Sequence, residues 1–222
     1  AAITAILTTA LAALQPDRPA TRPRGRDRVA ALGALMRSRQ FVLVVLACGL
    51  IQGAHAFYYA FSTIAWRTQG VSAEMVGMLW GVAVAVEVAL LWSLAPIERR
   101  VSPEALILAG AAGAVLRWSL MGFAPDGALL WLLQGLHALS FAATHVGAMR
   151  LIYRAAPDNA AAMAQTIYSS FSGGLLLGAA TLLSGWLYDW GGVAGYWAMA
   201  VIAALGGFCA LFLLQKPAVN AR

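Results

Sequence analysis

Six runs of apolar residues follow one another along the chain, near 41–65, 73–95, 104–122, 128–149, 161–185 and 195–214. The breaks between them are rich in turn formers or charge: "WRTQGVS", "APIERRVSPE", "FAPDG", "RLIYRAAPDNA" and "LYDWGGVAG". A helix rises about 1.5 Å per residue, so roughly 20 apolar residues cross a hydrocarbon core of about 30 Å. Spanning strands would alternate polar and apolar positions, and these runs do not. The pattern predicts an all-α membrane protein with a six-transmembrane-helix bundle over 41–216.

Other segments flank the bundle. Residues 1–14, "AAITAILTTALAAL", carry neither an initiator Met nor a basic leading region, so they do not read as a signal peptide. As a helix they reach only about 21 Å. They read as the end of a truncated transmembrane helix, with the chain as the second part of a longer polypeptide. Residues 15–40 hold seven arginines and three prolines and read as a linker. Within it, "RVAALGALMRSR" predicts a short amphipathic helix on the membrane surface. Residues 217–222 form a short tail.

Composition agrees with a lipid solvent. Hydrophobic residues make up 61% of the chain and charged residues 11%, against about 25% charged in soluble domains. With the linker in the cytoplasm, Arg99, Arg100, Arg150, Arg154, Lys216 and Arg222 fall on the same side, and Arg67 falls outside. That asymmetry orients the protein with its C-terminus cytoplasmic. It also accounts for the net charge of +6 without nucleic acid as a partner. Cys48 and Cys209 lie in apolar runs without metal-ligand spacing, and read as small core residues.

An ionisable side chain in mid-span costs about 2.5–3.5 kcal/mol on insertion scales, so each needs a partner or water. Glu87, Arg117, His137 and His145 are such residues. At about 100° per residue, Gln52, His55, Tyr59 and Ser62 fall on one stripe of the first span. Gln134, His137, Phe141 and Thr144 form a second stripe. Gln165, Tyr168, Ser169 and Ser172 form a third. The sixth span has no strongly polar side chain in its middle and reads as lipid-facing nearly all round. Stripes on several helices predict a shared hydrated cavity, lined for an organic solute with ring and polar groups. Phe57 and Tyr58 read as packing residues, and His145 as structural. Gly49–Gly53, Gly77–Gly81 and Gly174–Gly178 predict close helix approach.

These features resemble the C-terminal half of a major facilitator superfamily transporter: a truncated helix, a basic central loop, six spans and the junction "GWLYDWGGVAGYWAMA". Within that superfamily the chain is most similar to the branch of the lactose and 3-phenylpropionate permeases (oligosaccharide:proton symporters). Glu87, Arg117 in "LAGAAGAVLRW" and His137 in "LQGLHALS" match residues of the lactose permease linked to proton and sugar. "QGAHAFYYAFS" is closer to the phenylpropionate side. The resemblance implies proton-coupled uptake of a small organic solute, such as an aromatic acid, by alternating access in a bacterial inner membrane. The missing N-terminal six-helix half, protons and the lipid bilayer would be its partners.

The resemblance makes Glu87 and His137 the candidate proton carriers and Arg117 their counter-charge or a clamp for a solute carboxylate. Gln52, His55, Tyr59, Ser62, Gln134, Phe141, Gln165 and Tyr168 are the substrate-binding candidates. Two positions depart: Ser140 stands where the lactose permease has a carboxylate, and Gln134 where it has a lysine. A sugar or nucleoside symporter, or a non-transporting sensor or receptor, would use the same fold. Neither HExxH nor GxSxG is present, and we expect no enzyme activity, cofactor or metal.

Overall fold

The computed structural model describes residues 25–157 and 160–215. The expectations for residues 1–14, the first part of the linker and the tail fall outside the described residues. Among the described residues every regular element is helical. Among the described residues, five helical runs are long and apolar enough to cross a membrane: Arg39–Thr68, Ala73–Trp92, Pro103–Met121, Gly127–Ala155 and Ala161–Leu214.

Local chemistry sets the helix starts. Helix α1, Gly25–Arg37, is followed by a single extended residue, Ser38, whose hydroxyl accepts from the Phe41 amide and caps α2, Arg39–Gly53. After a turn at Ala54 and His55 the chain continues as α3, Ala56–Thr68. Ser72 caps α4, Ala73–Trp92, and Ser102 caps α6, Pro103–Met121, which begins on proline. Both serines satisfy amides that have no partner within their helix. The charged break between α4 and α6 is itself helical, α5, Leu94–Arg100.

The two remaining rods each contain a wide π-helical stretch. In the first, α7 (Gly127–Gly135) leads through the π stretch Ala138–Ala143 into α8 (Thr144–Ala155). This rod runs on through Arg150 and Arg154, residues that the sequence pattern places in a break. In the second, α9 (Ala161–Ser169) leads through the π stretch Ser170–Leu176 into α10 (Leu177–Gly191). Gly192, at φ 54°, ends α10 in a conformation that favours glycine, and α11, Gly195–Leu211, begins after one 3₁₀ turn.

The core overturns the expectation for the last helix. Instead of facing lipid nearly all round, α11 lies against α6 and α2. Its buried face is Tyr196, Met199, Ala200, Ala203, Gly206 and Ala210. The reason is steric. A Cβ on Gly206 would come within 2.7 Å of the Ala47 carbonyl oxygen, so only glycine allows that approach. Polar content gave no sign of this, because small apolar residues bring membrane helices together without polar side chains.

The glycine pairs divide. Gly49 and Gly53 pack against Leu176 of the second π stretch. Gly77, Gly81, Gly174 and Gly178 face open space. Helix α4 buries only Val76, Leu79 and Ala83, and is the most peripheral of the apolar helices.

Candidate functional site

The turn at Ala54–His55 gives His55 its place. Its Nδ1 lies 3.1 Å from the Ile51 carbonyl and 3.2 Å from that of Gln52, which also accepts from the His55 amide, where α2 ends. Carbonyls only accept, so Nδ1 carries the hydrogen. Nε2 then accepts from the Ser140 hydroxyl, 3.2 Å away on the first π stretch. Gln52 reaches the same stretch, donating to the Phe141 carbonyl at 3.3 Å. The first span and the α7–α8 rod are thus pinned together by polar contacts.

Arg117 on α6 is the centre of this cluster and is fully buried. Its Nη1 is 2.9 Å from His137 Nδ1, and its Nη2 donates to Gln134 Oε1 at 3.0 Å. Gln134 accepts a second bond, from the Tyr58 hydroxyl at 3.1 Å. The guanidinium carbon sits 4.4 Å from the Tyr58 ring centre and 4.5 Å from that of Trp118. Such contacts are worth about 2 kcal/mol or more when desolvated.

The hydrogen positions follow from valence. Arginine cannot accept a hydrogen bond, so His137 Nδ1 is the acceptor and the ring's hydrogen is on Nε2. That atom lies 3.4 Å from Glu87 Oε2. Arg117, His137 and Glu87 therefore form one chain, from a sealed cation through a neutral imidazole to a partly exposed carboxylate.

Aromatic rings extend the cluster. Tyr59 stacks on Trp80 at 6.0 Å and on His55 at 5.8 Å. The rings of His137, Phe141 and His145 lie nearly parallel along one face, 5.3 and 6.5 Å apart. Tyr168 follows, 6.4 Å from His145.

The structure brings together Glu87, Arg117, His137, Gln134, His55, Gln52, Tyr59 and Phe141. It alters the sequence-based picture in several ways. Among the described residues, members of the first two polar stripes meet in a packed network inside the bundle. Ser62 is buried with its hydroxyl unpartnered among the described residues. On the fifth span Gln165 and Ser169 face outward, while Tyr168 and Ser172 face inward. Ser172 is spent on the Tyr168 carbonyl at 2.7 Å. Arg117 has both Nη atoms engaged within the bundle, so it is not open as a carboxylate clamp.

Three residues escaped the sequence reading. Tyr58 is a partner of both Gln134 and Arg117, and Trp118 is the second face of the guanidinium. His145 is exposed beside Phe141, and so is not a structural residue of the interior. The adjacency of Arg117 and Trp118 was the available signal, since a buried cation needs a π face or an acid.

Comparison with known proteins places these residues in context. The MFS_1 like family matches residues 4–199. The probable 3-phenylpropionic acid transporter of Escherichia coli (strain K12) is 35% identical over 225 residues, covering 96% of this chain. The chain spans 57% of that relative's length. No solved structure matches.

Proposed function

The chain belongs to the MFS_1 like family, and from that premise we propose that it is part of a secondary transporter coupling protons to uptake of an aromatic acid. The relative's printed name supports the solute class. The Arg117–His137–Glu87 chain is the observation that carries the proton coupling. In this reading the 54-residue run Ala161–Leu214 is two crossings, because a single helix of that length would reach about 81 Å. The total is then six crossings, with the basic loops cytoplasmic.

The mechanism follows from charge. With Glu87 ionised, the carboxylate neutralises Arg117 through the shared imidazole. The His137 Nε2–H, 3.4 Å from that carboxylate, is drawn toward it by charge. Protonation of Glu87 removes that counter-charge and leaves Arg117 uncompensated in a low-dielectric setting, where its field is strong. An anionic solute arriving beside Tyr59 and Phe141 would restore neutrality, so proton and anion load together. Closure and reopening on the other side would release both. Tyr59, the partly exposed aromatic next to Trp80, would take the solute ring. In place of a carboxylate, Ser140 holds His55, so this scheme uses a single carboxylate as its carrier.

Reconstituted full-length protein tests the proposal. Glu87→Gln is expected to keep solute exchange across the membrane and to lose accumulation driven by a pH gradient. Accumulation equal to the parent protein would overturn the assignment of Glu87.

A further inference from the structure

Helix α1 does not end in solvent: one residue, Ser38, separates it from α2, which enters the membrane. The end of α1 is therefore held at the edge of the bilayer. Leu35 is 1% exposed and anchors α1 to the core of the bundle. Val29, Leu32 and Met36 point elsewhere and are 71%, 41% and 54% exposed. At about 100° per residue these three share an arc of roughly 60°. From Gly25 to Arg39 the chain has four arginines (Arg26, Arg28, Arg37 and Arg39) and one acidic residue, Asp27. An apolar face with excess positive charge is the pattern of a helix that lies in the interface of an anionic membrane.

A second feature adjoins it. At the foot of α1 a cavity of about 560 Å³ opens between the start of α2 and the end of α11. Arg39, Gln40 and Gln215 give it a polar mouth, and Leu43, Phe212 and Leu214 give it an apolar wall. Glu104, at the start of α6, also lines it and disfavours an anion at its own position. Arg39 donates to Gln215 at 3.1 Å and is exposed. A headgroup phosphate at Arg39 and an acyl chain along Leu43 and Leu214 match this division.

We propose that α1 and the cavity at its foot are a docking site for anionic phospholipid, with Val29, Leu32 and Met36 in the acyl boundary and Arg37 and Arg39 on the headgroups. The proposal depends on the membrane location of the protein and not on its solute or its coupling ion.

The test places a polarity-sensitive fluorophore on Val29→Cys in a Cys209→Ser background, Cys48 being buried. The protein is reconstituted in vesicles of phosphatidylcholine alone, or with phosphatidylglycerol added, with brominated acyl chains as quencher. Strong quenching with phosphatidylglycerol, weak quenching without it, and loss at high salt are expected. The triple variant Arg26→Gln, Arg28→Gln, Arg37→Gln should lose about half or more of that quenching. Its helical circular dichroism should be unchanged. Arg39→Gln should weaken retention of phosphatidylglycerol through purification. Equal quenching in both vesicle types would overturn the proposal. So would a label shielded from lipid and from aqueous iodide alike, because protein would then cover α1.

Discussion

Helices α6 and α4 look alike in sequence and live differently in the fold. Each is about 20 residues of small and branched apolar side chains, each begins at a capping serine, and each carries one ionisable group well inside the span. Yet Arg117 on α6 is sealed, and Glu87 on α4 is partly exposed. The difference lies in the glycines. Gly110 and Gly113 of α6 sit against Thr144 and Leu139, where a side chain would collide. Gly77 and Gly81 of α4 have nothing within 4 Å. Backbone proximity decides which charge is fixed and which is left free to meet water.

The largest effect that would break this contrast is at Arg117. Arg117→Gln removes the donor to His137 and the cation between two rings. Hydrogen bonds to charged groups are worth about 1.5–3 kcal/mol each, so a loss of about 3 kcal/mol is expected. It should appear as a clear drop in the thermal midpoint in detergent. Glu87→Gln takes away only the partly exposed counter-charge and should lower that midpoint by clearly less. Equal losses for both would erase the distinction.

Next in size are the glycines. Gly206→Leu drives a side chain into the Ala47 carbonyl, and overpacking of this kind costs roughly 1–3 kcal/mol. Gly110→Leu, against Thr144, should behave similarly. Gly77→Leu and Gly174→Leu should be tolerated, as measured by yield and monodispersity after solubilisation. Smallest is Tyr58→Phe, which keeps the ring under Arg117 and removes only the hydroxyl's bond to Gln134. About 1 kcal/mol is expected, and a larger loss would mean that the hydroxyl supports more than that bond.

Much of this was legible in the sequence, for physical reasons. The apolar runs predicted an all-helical membrane chain because lipid leaves the backbone few other options. Intramembrane cost singled out Glu87, Arg117 and His137, and the fold joins Arg117 to His137 by a hydrogen bond and sets Glu87 3.4 Å from the far side of that ring. What escaped were features without a polar signature. The burial of α11 rests on Ala203, Gly206 and Ala210, which say nothing about a partner until the partner is seen. Tyr58 was passed over because a tyrosine beside a phenylalanine reads as packing, and its role needs Gln134 from a distant helix. The third polar stripe divides, Gln165 and Ser169 outward and Tyr168 and Ser172 inward, because its arc of about 100° straddles the edge between the buried and exposed faces.

The two π stretches have an effect on phase. A π turn takes in more residues than an α turn, so every residue beyond it is rotated about the rod relative to an uninterrupted helix. Between His137 and His145 this offset sets three rings in one file, and it aims Arg150 at the Val101 and Glu98 carbonyls, 3.1 and 3.3 Å away. Were the same residues wound as a regular α-helix, the rod beyond Ala143 would turn by roughly 100°, scattering the file of rings and withdrawing Arg150 from the junction it braces, with no change in hydropathy to betray the damage.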